Sequence, residues 1–311
     1  MDALTPGIID IHTHFMPQRV LDKVWAYFDS AGPLIGRAWP ITYRTDEGER
    51  LATLRGLGVR AFTSLNYAHR PGMAAWLNDW STGFAAEHTD VLHSATFYPE
   101  PGAAEYTAAA LDAGARVLKV HVQVGDYSLA DPLLDDVWSL LEHRRTPIVM
   151  HAGDGPAPGR FTGPDAVRDL LERHPGLVLV IAHMGMPDYG DFLDLAAAHP
   201  DVHLDTTMDF TDFTEAVTPF PRERLEDLRA EQLRGGADRL GHRTGVGPGL
   251  LERDQLDLLA PVALPERGVL AGDPLAQLLL IPDRVGDHPD RARGVDDVHD
   301  DVGSRHLLQG G

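Results

Sequence analysis

The sequence predicts an α/β fold, a TIM-like (β/α)8 barrel with strand eight doubtful or missing. Three observations predict it. Short apolar runs recur along the first 210 or so residues, amphipathic segments separate them, and polar residues able to do chemistry end several of the runs. Strands alternating with helices give βαβ units and a parallel sheet. A parallel sheet that closes on itself usually has eight strands, with its chemistry at their C-terminal ends.

The elements follow in order. "GIIDIHTH" (7–14) is the first strand: Ile8, Ile9 and Ile11 are apolar, and His12 and His14 end the run. "GVRAFTSL" (58–65), "VLHSATFY" (91–98), "RVLKVHV" (116–122), "TPIVMHAG" (146–153), "LVLVIAHMG" (177–185) and "VHLDTT" (202–207) read as strands two to seven. Between them, "DPLLDDVWSLLEHRR" (131–145) and "GPDAVRDLLERHPG" (163–176) space Leu, Val and Trp three and four apart, as a helix with one buried face does. Ser and Asp in "SLADP" supply a helix start, and "HPG" closes the second segment. This makes seven β/α units in residues 1–239 and leaves an atypical tail, 240–311.

Composition narrows the function. A net charge of −20 and a pI near 5.1 exclude nucleic acid and anionic membrane as expected partners. There are no cysteines, so any metal must be held by His and carboxylate. The N-terminus has neither a basic n-region nor a long apolar run, and the cytoplasm is the expected location. A small-molecule substrate is the expected partner, and a homodimer is compatible with this reading.

Residues two apart on a strand point to one side, so His12 and His14 can both face a barrel mouth. Two imidazoles on a rigid strand suit a divalent metal; the alternative is a pair of hydrogen-bonded structural histidines. His151, before a Gly turn at the end of strand five, is the natural third ligand. His183, at the end of strand six, reads either as a ligand or as a general acid/base beside the metal. Lys119 and His121 share a face of strand four. Lys119 reads as a structural partner of a carboxylate or as a substrate-charge partner. Arg70 and Arg160, in loops after strands two and five, can clamp a substrate carboxylate bidentately.

"IIDIHTHFMP", "LKVHVQVGDYSLADPLLDDVWSLLEHRRTPIVMHAG" and "HPGLVLVIAHMGMPDYGDFLDLAAAHPDVHLDTTM" together resemble the amidohydrolase superfamily, over about residues 6–239. More narrowly, they resemble the amidohydrolase-related branch that includes aminocarboxymuconate semialdehyde decarboxylase. The resemblance implies a (β/α)8 barrel with one divalent metal, usually zinc. It implies His12, His14 and His151 as metal ligands and His183 as the catalytic histidine. The branch contains both metal-dependent hydrolases and non-oxidative decarboxylases that use a metal-activated water. The implied substrate is small and carboxylated or cyclic, and fold does not choose between the reactions.

The family's last ligand is an aspartate in a strand-eight run like Gly-Ser-Asp-Phe-Pro. It should follow "GGADRL" (235–240), but the sequence continues "GHRTGVGPGLLERDQLD". The 91 residues after Phe220 hold no Phe, Tyr or Trp, where the 7% of the whole chain would give about six. Three accounts stand: a divergent extension; a displaced strand eight in "GVLAGDP" (268–274), which would make Asp273 the fourth metal ligand; or a tail outside the family's reading frame. In the last case the barrel is a remnant that binds metal or ligand without turnover.

Overall fold

The computed structural model describes residues 8–30, 32, 38–39, 41 and 43–228. Asp273, the candidate strand eight and the rest of the tail lie outside these residues.

Among the described residues, seven parallel strands run in sequence order. They are β1 (Ile8–Asp10), β2 (Val59–Thr63), β3 in two pieces either side of His93 (Val91–Leu92 and Ser94–Thr96), β4 (Val117–His121), β5 (Pro147–His151), β6 (Val178–Ile181) and β7 (Val202–Leu204). The break at His93 leaves a three-stranded ladder, β1 to the first piece of β3, and a five-stranded one, the second piece of β3 to β7. Every pair is parallel, with Leu118 opposite Ile148, Ile148 opposite Leu179 and Leu179 opposite Val202.

Helices cover the outside: α1 (Gln18–Ser30), α2 (Glu47–Gly56), α3 (Ala74–Glu87), α4 (Ala103–Asp112), α5 (Asp135–Arg144), α6 (Pro164–Arg173) and α7 (Tyr189–Ala198). Each buries residues at helical spacing, as Leu21, Val24 and Phe28 do in α1 and Val167, Leu170 and Leu171 in α6. The cap of α2 is Asp46, whose carboxylate accepts from Glu49 N at 2.8 Å. The segment read as one helix over 131–145 divides. Asp131 caps a 3-10 turn, Pro132–Leu134, and α5 begins only at Asp135.

Strand alternation separates two cores. Leu118, Val120, Ile148, Met150, Leu179 and Ile181 face the helices. Val117, Val149, Val180 and Ala182, with Leu65 and Ile11, form a smaller cluster inside the barrel. β4 and β5 are buried on both faces, as strands of a helix-covered parallel sheet must be. Lys119 and His121 follow Val117 on the inner face, and His151 follows Val149, so the alternation that fills the barrel also lines its mouth. Among the described residues no helix is long and apolar enough to cross a membrane.

Candidate metal centre

Among the described residues, seven polar side chains meet at the C-terminal strand ends, each no more than 8% exposed: His12, His14, Lys119, His121, His151, His183 and Asp205. β1 stops short of its histidines because the Asp10 carboxylate accepts from His12 N at 3.0 Å and turns the chain out of the ladder. The strand path still continues beside β2. Thr13 O accepts from Leu65 N at 2.9 Å, and the Thr13 hydroxyl donates to Thr63 O. Thr13 is thereby held against β2 and both flanking histidines turn to the mouth. Their rings lie 5.1 Å apart, the His12 and His183 rings 5.0 Å, and the His183 and His151 rings 5.2 Å. His121 stacks on His151 at 4.1 Å.

Each ring's tautomer is assigned from its partner. A carbonyl or carboxylate oxygen only accepts, so the ring nitrogen facing it carries the proton. His14 Nδ1 lies 2.8 Å from Leu65 O and His183 Nδ1 lies 2.6 Å from Thr207 O. His12 Nδ1 lies 2.8 Å from Asp205 Oδ2. Those three rings keep their lone pair on Nε2. His151 is reversed: Nε2 donates to Gly155 O at 3.0 Å, and Nδ1 keeps the lone pair. His121 is the exception, because its Nδ1 accepts from Val124 N at 3.3 Å and its proton sits on Nε2.

Burial sets the charge state. It holds His14, His121 and His151 well below the ordinary imidazole range, and neighbouring positive charge lowers them further. His183 falls to about 4, through burial first and then His12. Burial lowers Lys119 to about 7 against the pull of Asp205, and its Nζ lies 3.4 Å from His12 Nε2. Burial alone would raise Asp205. The attraction of His12, its hydrogen bond and His183 outweigh that and hold the carboxyl well below its usual range.

His183 is presented by an unusual turn. Its φ is 54°, that of Met184 is 48° and that of Gly185 is 72°, three successive left-handed residues. For His183 and Met184 this costs roughly 1–3 kcal/mol each, of the kind concentrated at functional sites. Met186 N donates to His183 O at 2.8 Å and Gly155 N to Met186 O at 2.8 Å, so the loops after β5 and β6 close on one another.

The other candidates stand further out. Arg70 is exposed. Arg160 is exposed too, stacked 4.4 Å from the Phe161 ring centre and 3.4 Å from Asp126. Lys119 meets a histidine and the field of a carboxylate, which is closer to its structural reading. Sequence reasoning missed Asp205, although it ends strand seven and the strand-end argument applied to it equally. The ligand atoms of His12, His183 and Asp205 lie within 4.8 Å of one another, with His14 and His151 one ring further on either side.

The fold and this cluster define a parallel β/α barrel with buried imidazoles and a carboxylate in its C-terminal mouth. The family model described as "Amidohydrolase" matches residues 9–240, and the chain belongs to the amidohydrolase family. An uncharacterized TIM-barrel protein from Bordetella bronchiseptica superposes with a TM-score of 0.55 at 16% identity, over 72% of this chain and 81% of that one. 5-Carboxyvanillate decarboxylase from Sphingomonas paucimobilis gives 0.47 at 15% identity, over 82% and 97%. A putative 2-pyrone-4,6-dicarboxylic acid hydrolase from Pseudomonas putida gives 0.44 at 16%, over 74% and 78%. No curated protein matches the chain.

The residues present fit the metal that such a family implies. Among the described residues, His14 Nε2 and His151 Nδ1 are buried lone pairs with no hydrogen-bond partner. Leaving each unpaired costs about 1–3 kcal/mol, which a bound cation would recover.

Proposed function

We propose that this chain is a metal-dependent hydrolase or non-oxidative decarboxylase acting on a small carboxylated or cyclic substrate. One observation carries the reading: four buried rings from three strand ends each have one nitrogen tied to an acceptor and a lone pair on the other. His12, His14 and His151 would hold the metal, and Asp273, outside the described residues, would add a carboxylate only if residues 268–274 supply a displaced strand eight. A bound zinc supplies Lewis acidity and lowers the pKa of water.

The protein's own residues do the rest. His183, anchored through Nδ1 to Thr207 O, is fixed in orientation and moves a proton at Nε2. Burial of the whole group keeps bulk water from competing and strengthens each electrostatic contact. Lys119, with a pKa near 7, limits positive charge in the mouth and so tolerates a cation beside it. Arg70 and Arg160, both exposed, would be the groups to clamp a substrate carboxylate.

The test is metal content. The full chain, loaded with zinc and desalted, should retain about one ion per chain by elemental analysis, and His14→Gln and His151→Gln should each lower that. A chain that keeps no zinc from micromolar solution overturns the reading. Carbon dioxide release against acid release by ring or amide opening then separates decarboxylation from hydrolysis.

A second reading, a barrel that binds metal or ligand without turnover, is favoured by the family match stopping at residue 240. Translating the nucleotide sequence around codon 240 in three frames tests it. A Gly-x-Asp-Phe-Pro run in another frame supports the remnant, and its absence from all frames removes the frame-shift account.

A further inference from the structure

Asp205 has no part in the chemistry above, yet it joins three strand ends. Its Oδ2 accepts from His12 Nδ1 at 2.8 Å, across 193 residues of sequence. Its Oδ1 accepts from His183 N at 3.1 Å and Thr207 N at 3.1 Å. Its main chain is tied to the same region: its N donates to Ile181 O at 3.0 Å, and its carbonyl accepts from Met184 N at 2.9 Å.

We propose that Asp205 is the positioning residue of the centre, a single carboxylate that fixes the tautomer of His12 and the turn that presents His183. The chemistry is direct. An ionised carboxylate only accepts, so His12 must carry its proton on Nδ1 and turn the Nε2 lone pair to the cluster. The left-handed turn at His183 and Met184 leaves two main-chain N–H groups that no helix or sheet partner takes. Asp205 accepts one through its side chain and the other through its carbonyl. With Oδ2 on a ring N–H and Oδ1 on two amides, the carboxylate acts on the neighbouring residues and not as a ligand, although it lies within reach of the same space.

The consequence for metal rests on the function proposed above; the tautomer does not. Long-range ¹H–¹⁵N histidine spectra of the metal-free full chain, with His12 assigned by the peaks lost in His12→Gln, give the test. His12 should show the Nδ1–H pattern. In Asp205→Asn the amide oxygen can still take the two main-chain N–H groups, while the NH₂ faces His12 and forces the Nε2–H form. Zinc affinity should then fall about 10–100-fold with the circular dichroism spectrum unchanged. Wild-type His12 in the Nε2–H form overturns the proposal without need of any Asp205 variant. So does Asp205→Asn with His12 unchanged, whether or not zinc is lost, since loss without a tautomer change would mark a ligand. If the wild type binds no zinc but the tautomer switches, Asp205 keeps its positioning role and the metal reading alone falls.

Discussion

Three glycines allow the close packing behind the histidines to be measured. Gly185 has φ of +72°, and a Cβ there would lie 1.9 Å from Phe192 Cδ2 and 2.4 Å from Cγ. Gly72 has nearly the same φ, +74°, with nothing among the described residues within 4 Å of a Cβ. Gly153 has ordinary φ, but a Cβ would lie 2.5 Å from Gly185 C and O and from Met186 O. Alanine at the three positions therefore separates backbone strain from close approach. A left-handed alanine costs about 1–2 kcal/mol, partly offset by about 0.4–1 kcal/mol from a stiffer unfolded chain, so Gly72→Ala should cost about 1 kcal/mol. Overpacking costs about 1–3 kcal/mol; Gly153→Ala should show that alone, because main-chain atoms cannot rotate away. Gly185→Ala should show both, about 2–4 kcal/mol, since the clash is with the root of the Phe192 ring. In a domain of this size each kcal/mol moves Tm by about 2–4 °C. Calorimetry should therefore lower Tm by about 2–4 °C for Gly72→Ala and about 4–16 °C for Gly185→Ala. Equal losses at Gly72 and Gly185 would refute the argument that the loops after β5 and β6 are packed to van der Waals contact.

His183→Asn should leave metal content nearly unchanged and lower turnover by about 10²–10⁴; loss of metal by elemental analysis would make His183 a ligand instead. Asp46→Ala removes the acceptor for Glu49 N and should cost about 0.5–2 kcal/mol in calorimetry, while Asp46→Asn should recover most of it. Asp209 is buried, its Oδ2 has no partner among the described residues, and burial followed by the charge of Asp205 raises it well above the usual carboxylate range. A raised folded pKa means that its contribution is present below the unfolded value near 4 and is lost as pH rises through the folded value. Asp209→Asn should therefore raise Tm at pH 8 and change it little at pH 4. A gain independent of pH would show that folding does not raise the Asp209 pKa above its unfolded value.

Much of the site is local, and the sequence by itself determined that part. Inner-face alternation in "RVLKVH" places Lys119 and His121 with Val117, and "IVMH" places His151 with Val149, because a strand's period of two needs no partner to be read. The His12–Thr13–His14 spacing follows from the same geometry, and amphipathic spacing determined α5 and α6 to within a few residues. The family, too, was legible in the motifs, and the match over residues 9–240 agrees with it. Tertiary structure decided what depends on distant partners. Which nitrogen of His14, His151, His183 and His12 carries a proton is set by Leu65 O, Gly155 O, Thr207 O and Asp205, between 4 and 193 residues away. The end of β1 at Asp10 comes from a side-chain hydrogen bond to His12 N, and the left-handed His183–Met184 turn is held from β7. Asp205 was overlooked for the same reason: a carboxylate after a strand is common in sequence, and only the fold brings it against one imidazole and the turn that carries another. Periodicity records which way a residue faces, but hydrogen-bond partners are chosen by where the strands lie relative to one another.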